Sequence, residues 1–244
     1  MYCQSDHDET GGNGMKSTGI ESSFDHADIS ATIVFVDMSG FTALTEVHGD
    51  HVAAQFAVDF ADMATAARGP DDDLIKTMGD AVMVASADGL AALAFLRRLG
   101  VAAARAEGFP MLRAGVRAGT VVKRGGDVYG TTVNAAARLA ALAAPGQVVV
   151  CRDVAAVAGD VDLPIEALGL VSIRNMAEPM ELFAVDTAGG HQQHVDPACR
   201  MHVTGSSAKA TLSRDGRTYR FCSKACAELF DRRAQGGRGS STAQ

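Results

Sequence analysis

Three short segments of this 244-residue chain hold the side chains best suited to chemistry. In Phe35-Val36-Asp37-Met38-Ser39-Gly40-Phe41-Thr42, an acid ends an apolar, β-branched run and a turn of small residues follows. A carboxylate there can reach a metal ion, while backbone N–H groups of Ser39, Gly40, Phe41 and Thr42 point at phosphate. In Lys76-Thr77-Met78-Gly79-Asp80, a tight turn between two short strands carries Asp80 and can set it beside Asp37. Two carboxylates on adjacent strands are what two hard divalent ions need. The third segment is Gly126-Asp127-Val128-Tyr129-Gly130, followed by Asn134 and Arg138, which share one helical face. An amide and a guanidinium so placed suit a sugar oxygen and a phosphate.

Each feature has a plainer reading when taken singly. A strand-end Asp is most often a turn or cap residue, and a Gly-rich segment mostly serves a turn. An isolated Lys is usually a solvated surface group, and an Asn–Arg pair at helical spacing is usually exposed. The argument rests on their joint occurrence, in this order and on these elements.

The elements that must position them follow from pattern. Ala31 to Val36 reads as a strand and Val52 to Ala67 as a helix, stopped by Arg68-Gly69-Pro70. Asp73 to Thr77 and Ala81 to Ser86 read as paired strands, Gly89 to Ala106 as a helix, and Leu112 to Val122 as a strand. Thr131 to Ala143 is helical up to the Pro145-Gly146 stop, and Gln147 to Cys151 and Glu181 to Val185 are further strands. Strand, helix, two strands, helix, strand predicts an α+β, ferredoxin-like βαββαβ domain, antiparallel-rich, with helices on one face. The expected organisation is a flexible tail over 1–30, a catalytic domain over 31–186, a linker over 187–193, a cysteine module over 194–233 and a second tail over 234–244. Met15 offers a second candidate start.

Composition narrows the function classes. Hydrophobic residues make up 47% of the chain, enough for a full core, and the net charge of −7 argues against a nucleic-acid surface. No run of about 18 apolar residues suggests a membrane span, and the polar N-terminus has no apolar signal segment. Five cysteines, an odd number, do not read as a disulfide framework. The expectation is a cytoplasmic protein with reduced thiols.

The cysteine module is a separate matter. Cys222 and Cys226 are spaced to face one ion from a helix start, and Cys199 comes from a separate turn. A thiolate-rich set suits Zn²⁺ or Cu⁺. His191, His194 and His202 are the nearby candidates for a fourth ligand. At about 40 residues the module has little core of its own, which favours a metal staple.

The stretch 31–186 resembles the catalytic domain of class III nucleotide cyclases, through FVDMSGFT, KTMGDAVM and GDVYGTTVNAAARL. The resemblance implies two Mg²⁺ or Mn²⁺ ions held by Asp37 and Asp80. It implies an adenine edge read by Lys76 and Asp127, a ribose oriented by Asn134, and a transition-state phosphate met by Arg138. It also implies active sites shared between two chains, and hence a homodimer with ATP as substrate, since this chain carries both half-sets. Lys76 can only donate and ionised Asp127 can only accept, which matches adenine N1 and N6 and mismatches guanine twice. The expected activity is adenylyl cyclase, a lyase in intracellular signalling. The alternatives are a guanylyl cyclase, or a metal-responsive binding protein whose cyclase fold only dimerises. Residues 194–233 resemble the YHS domain, departing from it at Arg200, where that family usually has Gly; a regulatory role is the expectation its fusion to a catalytic domain suggests.

Overall fold

A computed structural model describes residues 27–160, 163–174, 176, 178–187, 194–203 and 207–236. The catalytic part runs β1 (Ala27–Met38), α1 (Phe41–His48), α2 (Asp50–Ala67), β2 (Asp72–Met78), β3 (Ala81–Ser86), α3 (Gly89–Arg105), β4 (Leu112–Arg124), β5 (Asp127–Tyr129), α4 (Thr131–Leu142), β6 (Val148–Cys151), α5 (Arg152–Asp160), β7 (Ile165–Val171) and β8 (Met180–Val185). The C-terminal part adds β9 (His194–Val195), β10 (His202–Val203), β11 (Ala210–Arg214), β12 (Arg217–Phe221) and α6 (Lys224–Gly236). Among the described residues no helix is long and apolar enough to cross a membrane.

The main sheet has the order β2-β3-β1-β4-β6-β8-β7, with β5 paired to β4. Its first four strands are antiparallel neighbours, as the ferredoxin-like order requires. The expected strand from Ala31 begins at Ala27, because the whole of β1 pairs with β4 as far as Lys123. Alternation along β1 feeds two cores. Val34, Val36 and Met38 pack with α2, α3 and α5 residues such as Phe60, Leu93, Leu96 and Val154. Ala31 and Ile33 pack on the other side with Met83, Val121, Val128 and Ala136 of α4.

Helices therefore cover both faces, not the single face expected from element order. α4 is the exception, and two glycines of β4 explain it. A Cβ at Gly115 would lie 2.1 Å from the Ala140 nitrogen and 2.3 Å from the Ala136 oxygen, and one at Gly119 would lie 2.6 Å from Thr132 Oγ1. A strand without side chains at these positions lets helix backbone approach closely at Gly115 and the Thr132 side chain at Gly119.

The C-terminal module folds onto the catalytic part. Ala43 and Leu44 of α1 and Ala53 of α2 share one apolar cluster with Ala198, Cys199, Phe221, Cys226 and Leu229. The segment 200–202 runs beside 109–111: Met111 N–H donates to the Arg200 carbonyl (3.0 Å), and His202 N–H donates to the Phe109 carbonyl (3.1 Å).

Candidate active site and cysteine centre

Asp37 and Asp80 come together as the hairpin predicted. Asp37 pairs with Ala81 across β1 and β3, and Met38 N–H donates to the Asp80 carbonyl (2.9 Å). Burial raises the Asp80 pKa above the ordinary carboxylate value, and the Asp37 charge raises it further, against its own backbone hydrogen bond and Arg113. A dication between the two acids would reverse the like-charge part of that cost. Sequence reasoning missed the third member, Arg113. It faces Asp37 across β1 and β4 and donates from Nε at 2.6 Å and Nη2 at 2.8 Å, a bidentate pair. The alternation of β4 carried the signal, since Arg113 shares Asp37's face by register, but the register itself was not legible.

The turn after Asp37 opens α1. Gly40 takes a left-handed conformation (φ 78°) as the N-cap, and no side chain caps the helix. The first turn, at Phe41, Thr42 and Ala43, thus presents backbone donors to an anion. Ser39 differs from expectation: its N–H donates to the Met111 carbonyl at 2.7 Å, so it is already used. Its hydroxyl is buried and has no partner among the described residues. An orphaned hydroxyl beside a bare helix start suits a phosphate oxygen, and two acids alongside suit the ions that accompany one.

Lys76 and Asp127 meet directly, Nζ to Oδ2 at 2.7 Å, although they lie on β2 and β5. Val128 N–H also donates to Asp127. The Lys76 ammonium holds the Asp127 carboxyl below the usual carboxylate range. Asn134 is exposed on the first turns of α4. Arg138, one turn on, donates to the Arg174 carbonyl. α4 runs along Asp37's face of the sheet, from Gly119, which pairs with Ala31 and meets Thr132, to Gly115, which pairs with Phe35 and meets Ala136 and Ala140.

The three expected cysteines converge, with Cys222 Sγ 3.5 Å from the sulfurs of both Cys199 and Cys226. The fourth group is His48, not any of the three histidines expected from nearness in sequence. His194 instead meets Arg220 (2.7 Å), and His202 is half-buried, its pKa lowered by burial. His191 lies outside the described residues. No linear spacing could reveal His48, which stands 174 positions before Cys222. The departure at Arg200 also has a geometric meaning: it adopts φ 65°, the left-handed region in which Gly is at ease.

The family model of the adenylate and guanylate cyclase catalytic domain matches residues 25–187, and that of the YHS domain matches residues 194–235. The chain belongs to the adenylate and guanylate cyclase catalytic domain family, with a YHS domain after it. It is 38% identical, over 129 residues, to a pH-sensitive adenylate cyclase of Mycobacterium tuberculosis (53% of this chain, 32% of that one). It is 41% identical, over 121 residues, to an adenylate cyclase of Streptomyces coelicolor (48% of this chain, 31% of that one). The match thus spans about a third of the length of these relatives. Among solved structures, an adenylate/guanylate cyclase/hydrolase from Silicibacter pomeroyi superposes with a TM-score of 0.58 at 26% identity, over 66% of this chain and 98% of that one.

Proposed function

We propose that this chain is an adenylyl cyclase that converts ATP to 3′,5′-cyclic AMP and pyrophosphate at sites shared by two copies. The observation that carries the choice of base is the Lys76–Asp127 pair at 2.7 Å. A donor-only and an acceptor-only group held side by side match the N1 acceptor and N6 amine of adenine, and each keeps further hydrogen-bonding capacity while paired. Guanine would meet both with the wrong polarity, at about 1–3 kcal/mol per mismatch.

Asp37 and Asp80 would hold two Mg²⁺ or Mn²⁺ ions, with Arg113 sharing or yielding Asp37. When bound, such ions supply positive charge at the ribose 3′-oxygen and at the phosphates. The 3′-oxygen gives up its proton to water and bonds to the α-phosphorus as the bond to pyrophosphate breaks. Backbone N–H groups at the start of α1 hold phosphate oxygens. Asn134 orients the ribose, and Arg138 turns from the Arg174 carbonyl to meet charge that grows in the transition state.

One feature supports a shared site: Tyr129, just before α4, Leu142, its last residue, and Leu170 on β7 are 52%, 49% and 76% exposed, apolar surface that a second copy would cover.

The test is the purified chain with ATP or GTP and Mn²⁺, assayed for cyclic product. Cyclic AMP is expected. No cyclic product, or a preference for GTP, would remove the reading.

A further inference from the structure

His48, Cys199, Cys222 and Cys226 converge although they belong to separate elements of two modules. His48 is the last residue of α1, Cys199 lies between β9 and β10, Cys222 follows β12, and Cys226 lies in the first turn of α6. Cys222 Sγ is 3.5 Å from Cys199 Sγ, from Cys226 Sγ and from His48 Nε2, and Cys226 Sγ is 3.8 Å from His48 Nε2. All four ligand atoms lie within 4.8 Å of one another. A disulfide needs about 2.05 Å, so these are separate thiols. A tetrahedral zinc site, with bonds of about 2.3 Å to sulfur and 2.0–2.1 Å to nitrogen, has edges of about 3.8 Å between sulfurs and about 3.6 Å from sulfur to nitrogen. Four of the cluster's six edges, at 3.5–3.8 Å, are close to those lengths, and the other two are no longer than 4.8 Å.

We propose that these four side chains form one closed Cys₃His zinc site whose imidazole comes from the catalytic domain, so that the ion staples the module to α1. The surroundings are built for it. Asp196, fully buried, accepts from Ala198 N–H (2.8 Å) and Cys199 N–H (3.3 Å) with one oxygen, and from Cys222 N–H (2.8 Å) with the other. It thereby fixes the two loops that present Cys199 and Cys222, as a positioning residue. Cys226 N–H donates to Ser223 Oγ at the start of α6 (3.1 Å).

The staple acts on the phosphate-facing turn through α1, which is only about 12 Å long. At its far end, a Cβ on Gly40 would lie 2.8 Å from Arg200 Cγ and 3.1 Å from the Cys199 carbonyl. The residue that supplies a zinc ligand thus packs on the turn that opens the anion cradle, while two other ligands grip the opposite end of the helix. Loss of the ion frees His48 and loosens the module on Gly40. The zinc site stands apart from the cyclase reading; only its effect on the rate rests on that reading.

The experiment uses the full chain, purified reduced, with Zn²⁺ alone. One Zn²⁺ per chain is expected, with tetrahedral thiolate absorption after Co²⁺ replacement. His48→Ala should weaken Zn²⁺ binding by more than the 10- to 100-fold typical of losing an outer-sphere partner. His48→Cys should restore retention and shift the Co²⁺ bands, which guards against a merely misfolded alanine variant, and His194→Ala should change neither. Wild-type affinity and spectrum in His48→Ala would overturn the site, as would equal loss in His194→Ala, a wild-type chain that takes up no Zn²⁺, or a disulfide among the three thiols in the reduced protein. Chelation should change the rate of cyclic AMP formation in the wild type and not in His48→Ala; equal rates with and without Zn²⁺ would overturn the coupling. A chain inactive on every nucleotide would reject the cyclase reading while the metal measurements still decide the site.

Discussion

Gly115→Ala tests how the sheet sets the position of α4, which carries the groups proposed to meet the transition state. The added methyl carbon would lie 2.1 Å from the Ala140 nitrogen, 2.3 Å from the Ala136 oxygen and 2.6 Å from the Leu139 carbonyl carbon. All three are helix backbone, so no side chain can rotate away. Reaching ordinary contact at 3.4 Å asks α4 to move by about 1.3 Å. Overpacking of this kind costs about 1–3 kcal/mol, which a domain of ordinary stability survives. The catalytic cost is larger, because α4 carries Asn134 and Arg138, and a displacement near 1 Å can cost about 10²-fold. Asp37, Asp80, Lys76 and Asp127 stand on other elements. The expected result is a folded protein whose kcat for cyclic AMP falls about 100-fold with KM for ATP little changed. The assay is steady-state kinetics with ATP and Mn²⁺ beside a thermal melt. A wild-type kcat in a folded Gly115→Ala chain would refute the role given to α4, as would a loss confined to KM.

Lys76→Glu replaces a donor with an acceptor, so kcat/KM for ATP should fall about 5- to 150-fold relative to GTP, from about 1–3 kcal/mol of mismatch, read by parallel assays of the two nucleotides. Mixing inactive Asp37→Ala and Asn134→Ala chains should restore part of the activity; failure of folded, associating chains to complement would exclude the shared site. Because Lys76 holds the Asp127 pKa down, the pair contributes stability above the ordinary carboxylate value that is lost as pH falls below about 4. Screening at these partly exposed groups keeps that contribution under about 1 kcal/mol, so Asp127→Asn should lower stability by no more than that at neutral pH, leave the most acid range nearly unchanged, and so flatten the acid limb of a melting curve. Asp196→Ala leaves the amides of Ala198, Cys199 and Cys222 without their acceptor, at about 1–3 kcal/mol each, so the whole chain should melt earlier and retain Zn²⁺ about 10- to 100-fold less well by titration.

The sequence showed most plainly what local patterns decide. Ala81–Ser86 is a strand with the bounds expected from its apolar run, and the helices around Val52–Ala67 and Thr131–Ala143 differ by a residue or two at their ends. The nearness of Asp37 and Asp80 was also legible, from the hairpin turn, whereas the resemblance set Lys76 and Asp127 only as readers of one base edge and did not foretell their direct contact. Short elements were not. Phe41–His48 is a helix because Gly40 and Gly49 take positive φ at its two ends and the module covers Ala43 and Leu44; its eight residues, two of them Thr, carry little helical preference alone. Tertiary partners were invisible for the same reason: Arg113 finds Asp37 through strand register, and His48 finds the cysteines only when the whole chain closes.

The cluster that joins Ala43, Leu44 and Ala53 to Phe221, Cys226 and Leu229 makes the boundary near 187 a boundary of sequence and not of cooperativity. A chain cut there would take from Leu44, wholly buried in the intact protein, its partners Phe221, Cys226 and Leu229 in that cluster. The intact protein should therefore unfold in one transition spanning both parts, and substitutions on α1 should be tolerated only in step with residues of α6. Two families recognised separately would then behave as one inherited unit.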